Sequence, residues 1–385
     1  MAVPHDSASR PVLSRPLKPA GETQPLRILA SCHTWQGATD YGFLRAFRRA
    51  GHSVINVPDT DFVPVGWQSL QLKALRRVTL AAMVADYQKA LIEAARQLAP
   101  QLFFIFKGTY VRAATIDAIR QLGAVAINVY PDVSFTVHGP HIAGALPRYD
   151  WIFTTKSYGV SDLEQGLGIR QASFLSHGYD PETHFPAALD DFDRARLASQ
   201  AAFIGTWSPK KEALLGCLRK ALPELDLKVW GNQWDGAAAT LGNTLMHRPL
   251  FGREYVKAIC ATDINIAILS EARGVASSGD LSTTRTFEIP AAGGFMLHER
   301  TAEVQSFFEE GKECAMFAGA DELTAQVRHY LAHPDARMRI AEAGRARCLV
   351  ADYSVDKNAR RIVDRAREII GDRSSASATG TGRTS

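Results

Sequence analysis

Residues 280–297 read Asp-Leu-Ser-Thr-Thr-Arg-Thr-Phe-Glu-Ile-Pro-Ala-Ala-Gly-Gly-Phe-Met-Leu. The stretch places two acids, four hydroxyl side chains, an arginine and a glycine pair in a predicted turn-helix-turn. Apolar segments flank its polar part, residues 264–269 before it and 295–297 after it. In α/β proteins, a polar helix start between two buried strands is a typical place for a charged ligand. The sequence therefore predicts an α/β fold with a ligand site here.

Short apolar runs alternate with helical patterns on both sides of a polar segment at residues 186–200, which we interpret as a linker. Strands are predicted at 26–30, 53–57, 102–106, 125–129, 151–154 and 172–175, then at 202–204, 225–230, 264–269 and 295–297. This alternation is typical of parallel sheets covered by helices. Two such series predict two open α/β domains, with the loops after the strands facing a cleft between them.

Composition excludes several classes of protein. The 385 residues carry a net charge of +4, too small to indicate a nucleic-acid partner. Apolar runs stay well short of the roughly 20 residues that an integral membrane span needs. The five cysteines are scattered and lack metal-ligand spacing, which favours reduced thiols, no metal site and a cytoplasmic location.

The two ends of the chain are predicted to be disordered. Residues 1–25 are rich in Pro, Ser and Ala and lack the apolar core of a signal peptide or membrane anchor. Residues 372–385 are rich in Ser, Thr, Gly and Ala. A basic, amphipathic helix is predicted just before this tail, at residues 355–370.

The first candidate site is the helix start formed by Ser282, Thr283, Thr284 and Arg285. Free backbone N–H groups and the helix dipole would attract an anion, and the guanidinium suits phosphate oxygens. Ordinary capping by Ser or Thr, with a surface arginine, explains the same pattern equally well.

Glu288 follows Arg285 by three residues and shares its helical face. A carboxylate can accept hydrogen bonds from two neighbouring hydroxyls of a sugar ring. The alternative is an internal Arg285–Glu288 ion pair, but the half-buried helix favours a ligand contact.

A second basic motif follows the strand at 202–204. Gly205 and Thr206 form a turn, and Lys210 and Lys211 open the next helix, an arrangement suited to a diphosphate. The Gly-Lys-Ser/Thr order of a Walker loop is absent from the sequence, and either lysine could instead be solvated.

Histidines and acids in Gly/Pro-rich loops are candidates for a general base or for binding hydroxyls: His138, His141, His177, Asp132 and Asp180. Each of them, taken alone, is more often structural. The sequence shows no paired-carboxylate, Ser-His-Asp or metal-ligand spacing.

Together, several segments resemble the CgeB-like (spore maturation protein) branch of the group 1 glycosyltransferases. The segments are 106–110, 177–181, 203–215, 230–234, 284–300, 307–313 and 330–334, and the core Arg-Thr-Phe-Glu-Ile-Pro-Ala at 285–291 is the most specific. The likeness spans residues 26–370.

The resemblance implies the GT-B fold, an α/β architecture of two Rossmann-like domains facing a central cleft. It implies an acceptor domain at residues 26–185, a nucleotide-sugar donor domain at 200–350, and a crossover helix at 351–371 that returns to the first domain.

The function implied is glycosyl transfer from a nucleotide-sugar substrate, with no metal or other cofactor. The unidentified acceptor would be a saccharide, a lipid-linked glycan or a protein surface. Two other roles stay open on the same fold: a nucleotide-sugar epimerase, and a non-catalytic partner or scaffold module. A phosphorylase is disfavoured because no segment suggests a lysine that carries pyridoxal.

The resemblance also distributes roles among the candidate residues. Glu288 matches the acid that holds the ribose, and Asp280 stands at the spacing of the acid that contacts the donor sugar. His177 is a further candidate sugar contact. The predicted donor-binding set is Gly205, Thr206, Lys210, Lys211, Trp230, Gly231, Asn232, Ser282, Thr283, Thr284, Arg285 and Glu288. The predicted catalytic residues are Glu288, His138 and Asp132.

Overall fold

The computed structural model describes residues 24–64 and 69–380, which contain two parallel β-sheets covered by helices. The first sheet has the order β2-β1-β3-β4-β5-β6, with β1 (Arg27–Ser31), β2 (Ser53–Asn56), β3 (Leu102–Phe106), β4 (Val125–Tyr130), β5 (Trp151–Thr154) and β6 (Ala172–Phe174). The second has the order β11-β10-β9-β7-β8, with β7 (Ser199–Ile204), β8 (Leu227–Trp230), β9 (Thr262–Ala267), β10 (Met296–Glu299) and β11 (Ala315–Phe317). The predicted α/β class is confirmed, and we call the parts built on the two sheets the first and second domains.

Helices connect and cover the strands. Those before the second sheet are α1 (Thr39–Arg49), α2 (Leu70–Leu98), α3 (Ala113–Gln121), α4 (Ile142–Ala145), α5 (Gly159–Leu167) and α6 (Asp191–Leu197). Those of the second half are α7 (Pro209–Ala221), α8 (Ala238–Leu241), α9 (Gly252–Ala261), α10 (Arg285–Ala291), α11 (Ala302–Phe307), α12 (Ala320–Ala332), α13 (Pro334–Val350) and α14 (Val355–Gly380).

Central strands are mostly apolar because helices cover both faces of each sheet. All six residues of β4 are buried, and so are the first four of β3. Every strand pair is parallel, so the carboxyl ends of the strands lie along one edge of each sheet. The loops after the strands therefore meet at that edge and form the site.

The last helix belongs structurally to the first domain. Ile362 and Ala366 of α14 lie in the same buried apolar cluster as Phe104 of β3. The Asn358 side-chain amide donates a 2.8 Å hydrogen bond to the carbonyl of Ser176. The predicted return of the C-terminal helix to the first domain is confirmed.

This helix extends further than the sequence predicted. Residues 372–380, expected to be disordered, continue α14 to Gly380. Arg373 anchors this part, because its guanidinium donates to the carbonyl of Ala124 at 3.2 Å and pairs with Asp150 at 2.6 Å. Composition alone could not reveal such a long-range contact. The other residues predicted to be disordered, 1–23 and 381–385, lie outside the described residues.

The predicted linker at 186–200 is also more ordered than expected, because it contains α6. Asp190 and Asp193 form a reciprocal capping box at the start of this helix. Lys257 of α9 then pairs with Asp193 at 2.6 Å and fixes α6 to the second domain. The charged residues that suggested a solvated linker are thus the caps and ion-pair partners of a short helix.

Candidate active site

A cleft lies between the two domains and is lined by loops from both. It comprises two connected cavities with about 690 and 1290 Å³ of empty space, which share Thr39, Thr206, Thr284 and Arg285. The first, the Glu288 pocket, is further lined by Gly37, His184, Ile204, Gly205, Gly231, Asn232, residues 249–252, Tyr255 and Glu288. The second, the Asp280 pocket, is further lined by Phe106, Lys107, residues 131–133, Val137, His138, Lys156, His177, Trp207, Lys211, Ser270, Arg273, Asp280 and Thr283.

Glu288 is held from both sides at the inner end of its pocket. The Tyr255 hydroxyl donates a 3.0 Å hydrogen bond to Oε2, and Nε2 of His184 lies 3.6 Å from Oε1. The backbone N–H of Asp180 donates to Nδ1 of His184, which places the proton of a neutral imidazole on Nε2. Burial lowers the pKa of His184, although the negative charge of Glu288 acts to raise it. Glu288 is therefore oriented by the hydrogen bond from Tyr255, with a neutral His184 beside its other oxygen, and not by an ion pair with Arg285.

Arg285 lies at the junction of the two pockets. Its guanidinium carbon sits 5.4 Å from the centre of the Phe203 ring, and Nη2 donates to the carbonyl of Ile268 at 3.1 Å. Within the described part of the chain, its buried Nε has no hydrogen-bond partner. These contacts fix a permanent positive charge in the cleft with a donor to spare.

Lys211 brings a second cation to the cleft, and its side chain is buried. Its ammonium donates to the carbonyl of Thr206 at 3.0 Å and to the hydroxyl of Ser270 at 3.1 Å. Burial, followed by the nearby charge of Arg285, lowers the pKa of Lys211 to about 8. The two cations thus share one region and would both be stabilised by an anion placed between them.

Lys210, the other predicted donor-binding lysine, is absent from the lining of both pockets. Its ammonium pairs with Glu299 at 2.8 Å, while its backbone N–H donates to Glu271 at 2.9 Å. Neighbouring residues on a helix point about 100° apart, so only one of the two lysines faces the cleft. The structure does not support the predicted donor contact of Lys210.

Ser282 is likewise outside the cleft lining. Its buried hydroxyl donates to the carboxylate of Glu303 on α11. The helix begins at Arg285 rather than at Ser282, so the expected row of free N–H groups does not form there. Thr283 and Thr284 do line the cleft, and the buried hydroxyl of Thr283 has no partner among the described residues.

A buried chain of hydrogen bonds, which the sequence did not reveal, fixes the start of α10. The N–H of Thr283 donates to the Thr286 hydroxyl at 3.0 Å, and that hydroxyl lies 2.8 Å from Nε2 of His298. Nδ1 of His298 donates a 2.7 Å hydrogen bond to the carbonyl of Glu299. Burial lowers the pKa of His298 to about 4, so the imidazole is neutral. His298 therefore links β10 to the loop that carries Thr283 and Thr284.

Trp230 is a core residue rather than a ligand contact. Its side chain is 4% exposed, and the guanidinium of Arg248 lies 5.0 Å from the ring centre. Gly231 and Asn232, the next two residues, do line the Glu288 pocket. Gly231 has φ +142°, and a Cβ there would lie 2.0 Å from the carbonyl oxygen of Gly205. Glycine is therefore required for the close approach of these two turns.

An ion pair joins the two domains inside the Asp280 pocket. Nζ of Lys156, after β5, lies 2.6 Å from Oδ1 of Asp280, and the two side chains are 5% and 10% exposed. The same ammonium lies 3.3 Å from Nε2 of His177. Burial, the largest single influence, acts to raise the pKa of Asp280. The close ammonium of Lys156, together with His177 and Arg285, outweighs burial and leaves this pKa below its ordinary value. Lys156 was not among the predicted residues because no local pattern marks it.

The first domain contributes a smaller polar group to the opposite wall of this pocket. Asp132 pairs with Lys107 at 2.8 Å, and Nε2 of His138 lies 3.6 Å from Asp132. Burial lowers the pKa of His138, although the charge of Asp132 opposes the shift. The imidazole is thus neutral near pH 7 and able to accept a proton. Of the other loop residues considered, His141 does not line either pocket.

Comparisons with known proteins bear on the fold and on the class of enzyme. Residues 210–364 match the family model described as Glycosyl transferase-like. The structure of sucrose-phosphate synthase from Thermosynechococcus elongatus covers 91% of this chain and 100% of its own, with 13% identity and a TM-score of 0.64. Anabaena HepE in complex with UDP-glucose covers 89% and 100%, with 12% identity and a TM-score of 0.60. No curated protein sequence matches significantly.

A third similar structure, from Listeria monocytogenes, is assigned as a UDP-N-acetylglucosamine 2-epimerase; it covers 89% of this chain and 95% of its own, with 11% identity and a TM-score of 0.54. These likenesses show the GT-B fold, which confirms the predicted architecture. The enzyme class implied by the resemblance, a glycosyltransferase, is supported by the family match on the second domain. The CgeB-like branch stays a prediction.

Proposed function

We propose that this enzyme transfers a sugar from a nucleotide-sugar, bound mainly by the second domain, to an acceptor bound mainly by the first. The observation that carries the proposal is the convergence of Lys211, Arg285 and Glu288 on one interdomain cleft. A buried and a half-buried cation beside a fixed carboxylate suit a diphosphate linked to a ribose. We also propose that these basic side chains neutralise the diphosphate without a metal cofactor.

The shape of the cleft suggests where each part of the donor binds. The nucleoside would lie against Gly231, Asn232 and residues 249–252, with its ribose hydroxyls donating to Glu288. The diphosphate would then reach Arg285 and the Asp280 pocket. Because HepE is described in complex with UDP-glucose, a uridine nucleotide is the first donor to test.

The chemistry requires two things of these residues. The bond between the anomeric carbon and the diphosphate oxygen breaks, and the charges of Lys211 and Arg285 would stabilise the departing nucleoside diphosphate. The acceptor hydroxyl bonds to the anomeric carbon and loses its proton. His138, or Asp132 beside it, is the proposed recipient of that proton, since both face the Asp280 pocket from the first domain.

A donor screen tests the proposal. The full chain is incubated with UDP-, GDP- and dTDP-sugars and a panel of saccharide, lipid-linked and peptide acceptors, and the products are identified by mass spectrometry. We expect nucleoside diphosphate release that depends on acceptor and a product heavier by one sugar. If no nucleotide binds, as measured by saturation-transfer NMR, the enzymatic proposal fails and the non-catalytic module becomes the explanation.

A nucleotide-sugar epimerase is the second candidate, and one observation favours it. Two acids and two histidines, which the sequence did not bring together, line the same pocket: Asp132, His138, His177 and Asp280. An epimerase could use such groups to move a proton on the donor sugar. The same screen separates the two functions, because an epimerase converts the donor sugar into an isomer without needing an acceptor.

Three finer assignments rest on the sequence. The CgeB-like branch is proposed from the segment around residues 285–291. The cytoplasmic location is proposed from the scattered cysteines, all five of which are free thiols in the structure. In the described residues, no helix combines the length and the apolar character that a membrane crossing requires. The acceptor is proposed to be a saccharide, a lipid-linked glycan or a protein surface.

A further inference from the structure

Lys156 and Asp280 belong to different domains, yet they form a buried ion pair at the centre of the Asp280 pocket. Lys156 stands at the carboxyl end of the first sheet, and Asp280 stands just before α10 of the second domain. An ion pair removed from water must recover the solvation free energy of both charges, so it is weak support for stability by itself. Its position, where the donor would pass from nucleotide to sugar, suggests a role in binding.

The charges around this pair do not balance. Among the buried and half-buried groups of this pocket, Lys156, Lys211 and Arg285 are three cations and Asp280 is the carboxylate between them, which leaves two positive charges. Arg273 adds an exposed cation at the pocket wall. His177 adds none, because burial, followed by the charge of Lys156, lowers its pKa to about 3. On the opposite wall, Asp132 is paired with Lys107. The diphosphate of a nucleotide-sugar carries two negative charges and would match the surplus.

Hydrogen-bonding groups in the same region are also unsatisfied. Among the residues that the structure describes, Nδ1 of His177, the hydroxyl of Thr283 and Nε of Arg285 are buried without a partner. Most buried polar groups in proteins are hydrogen-bonded, so a cluster of exceptions points to a ligand. The ammonium of Lys156 has three donors. It lies 3.3 Å from Nε2 of His177 and 2.6 Å from Oδ1 of Asp280, and that carboxylate oxygen is also buried without a hydrogen-bond partner among the described residues.

We propose that Lys156 changes partner when the donor binds. Its ammonium leaves Asp280 and contacts the donor diphosphate, while the carboxylate of Asp280 becomes free to accept hydrogen bonds from the donor sugar. The inference rests on the proposed function. It makes Lys156 the first-domain residue that recognises the leaving group, so that the bound diphosphate replaces Asp280 as its partner and the two domains stay linked around the donor. Closure of this kind limits hydrolysis of the donor by water.

The test separates a phosphate contact from simple neutralisation of Asp280. UDP and uridine binding are measured by titration calorimetry and saturation-transfer NMR for wild type, Lys156→Met, Asp280→Asn and the double variant. We expect Lys156→Met to weaken UDP binding by at least about tenfold in both the wild-type and the Asp280→Asn background. Uridine, which lacks phosphate, should bind all four proteins equally. The double variant removes both buried charges and keeps the test valid if Lys156→Met alone does not fold.

Lys257→Met is the matched control, because Lys257 also forms a 2.6 Å pair with a buried aspartate, Asp193, but lies outside the cleft. It should leave UDP binding unchanged. If Lys156→Met does not change the affinity for UDP in the Asp280→Asn background, Lys156 only neutralises Asp280 and the inference is overturned. If wild type binds none of UDP, GDP and dTDP, the proposed function itself fails, which is a different outcome.

Discussion

The hydroxyl of Tyr255 donates a 3.0 Å hydrogen bond to Oε2 of Glu288. Burial, followed by the charge of Glu288, raises the pKa of Tyr255 well above its ordinary value, so the phenol stays a donor at neutral pH. With His184 on its other oxygen, the carboxylate is held in one orientation beside the turn at Gly231 and Asn232. This arrangement leaves Glu288 lone pairs for a ligand and assigns Tyr255 a positioning role.

Replacing Glu288 by Ala should abolish transfer and weaken binding of the nucleoside diphosphate by about 1.5–3 kcal/mol, the range for hydrogen bonds to a charged group. Tyr255→Phe should weaken it less, by about 0.5–1.5 kcal/mol, because the carboxylate remains. Calorimetric titration measures both values. A nucleotide with a dideoxyribose, which lacks the ribose hydroxyls, should bind wild type and Glu288→Ala with equal affinity.

Glu342→Ala is the control for Glu288→Ala, since Glu342 is an exposed glutamate of the same domain on α13. It should leave transfer and binding intact. Wild-type activity in Glu288→Ala at equal donor concentration would refute the assignment. The assignment would also be refuted if Glu288→Ala weakened binding of the dideoxyribose nucleotide as much as it weakens binding of the natural nucleotide.

Arg285→Ala should weaken nucleoside diphosphate binding by about 1.5–3 kcal/mol, because a permanently charged donor to the phosphates is lost. Affinity for the nucleoside alone should change little. Arg285→Lys should recover only part of the loss, because the lysine ammonium cannot reproduce the planar guanidinium over Phe203. If calorimetric titration gives wild type and Arg285→Ala the same affinity for the nucleoside diphosphate, Arg285 does not contact the phosphates.

Lys211 should make donor binding depend on pH. Its pKa, lowered to about 8 by burial and by Arg285, means that the free site loses a positive charge as pH rises through 8. A bound diphosphate stabilises the protonated form, so affinity should fall by about tenfold between pH 7 and pH 9. The terminal phosphate, with a second pKa near 6, is already about nine-tenths ionised at pH 7, so its own titration opposes this fall only slightly.

Lys211→Arg is the informative control for this pH effect, because arginine keeps its charge at every pH used. Its affinity for UDP should be nearly constant from pH 7 to pH 9. A wild-type titration that is flat over the same range would show that Lys211 does not contact the phosphates. A fall of equal size in Lys211→Arg would attribute the effect to another group.

The sequence predicted the fold better than the details of the site, for physical reasons. Buried parallel strands such as β3 are continuous apolar runs and are visible locally. The three-residue strand β11 was not predicted. Lys210 and Lys211 were indistinguishable because side-chain direction depends on where the helix begins. The family resemblance predicts Trp230 as a donor contact, but its side chain is buried in the core.

Contacts between distant parts of the chain were not predictable from local patterns. Lys156 joins Asp280 only because two separately folded sheets meet. The sequence predicts Ser282 at a helix start, but its hydroxyl donates a hydrogen bond to Glu303 on the following helix. The sequence therefore indicated which residue types form the cleft, whereas the packing of the domains decided which of them face it.

Gly231→Ala tests whether the turn beneath the Glu288 pocket requires glycine. An added Cβ would lie 2.0 Å from the carbonyl oxygen of Gly205, and the indole N–H of Trp234 holds that oxygen at 2.9 Å. Steric overlap and the positive φ together should lower the free energy of unfolding of the second domain by about 3 kcal/mol or more. Urea unfolding followed by tryptophan fluorescence measures the change.

Gly123→Ala separates the two contributions. Gly123 also has a positive φ, +98°, but an added Cβ there meets nothing within 4 Å. Gly123→Ala should lower the free energy of unfolding only by the backbone strain, about 1 kcal/mol. Nucleotide affinity should fall in Gly231→Ala and stay unchanged in Gly123→Ala, because only the first turn lines the cleft. Equal destabilisation by the two substitutions would mean that the turn at Gly231 can move away from Gly205, and that the close contact does not shape the pocket.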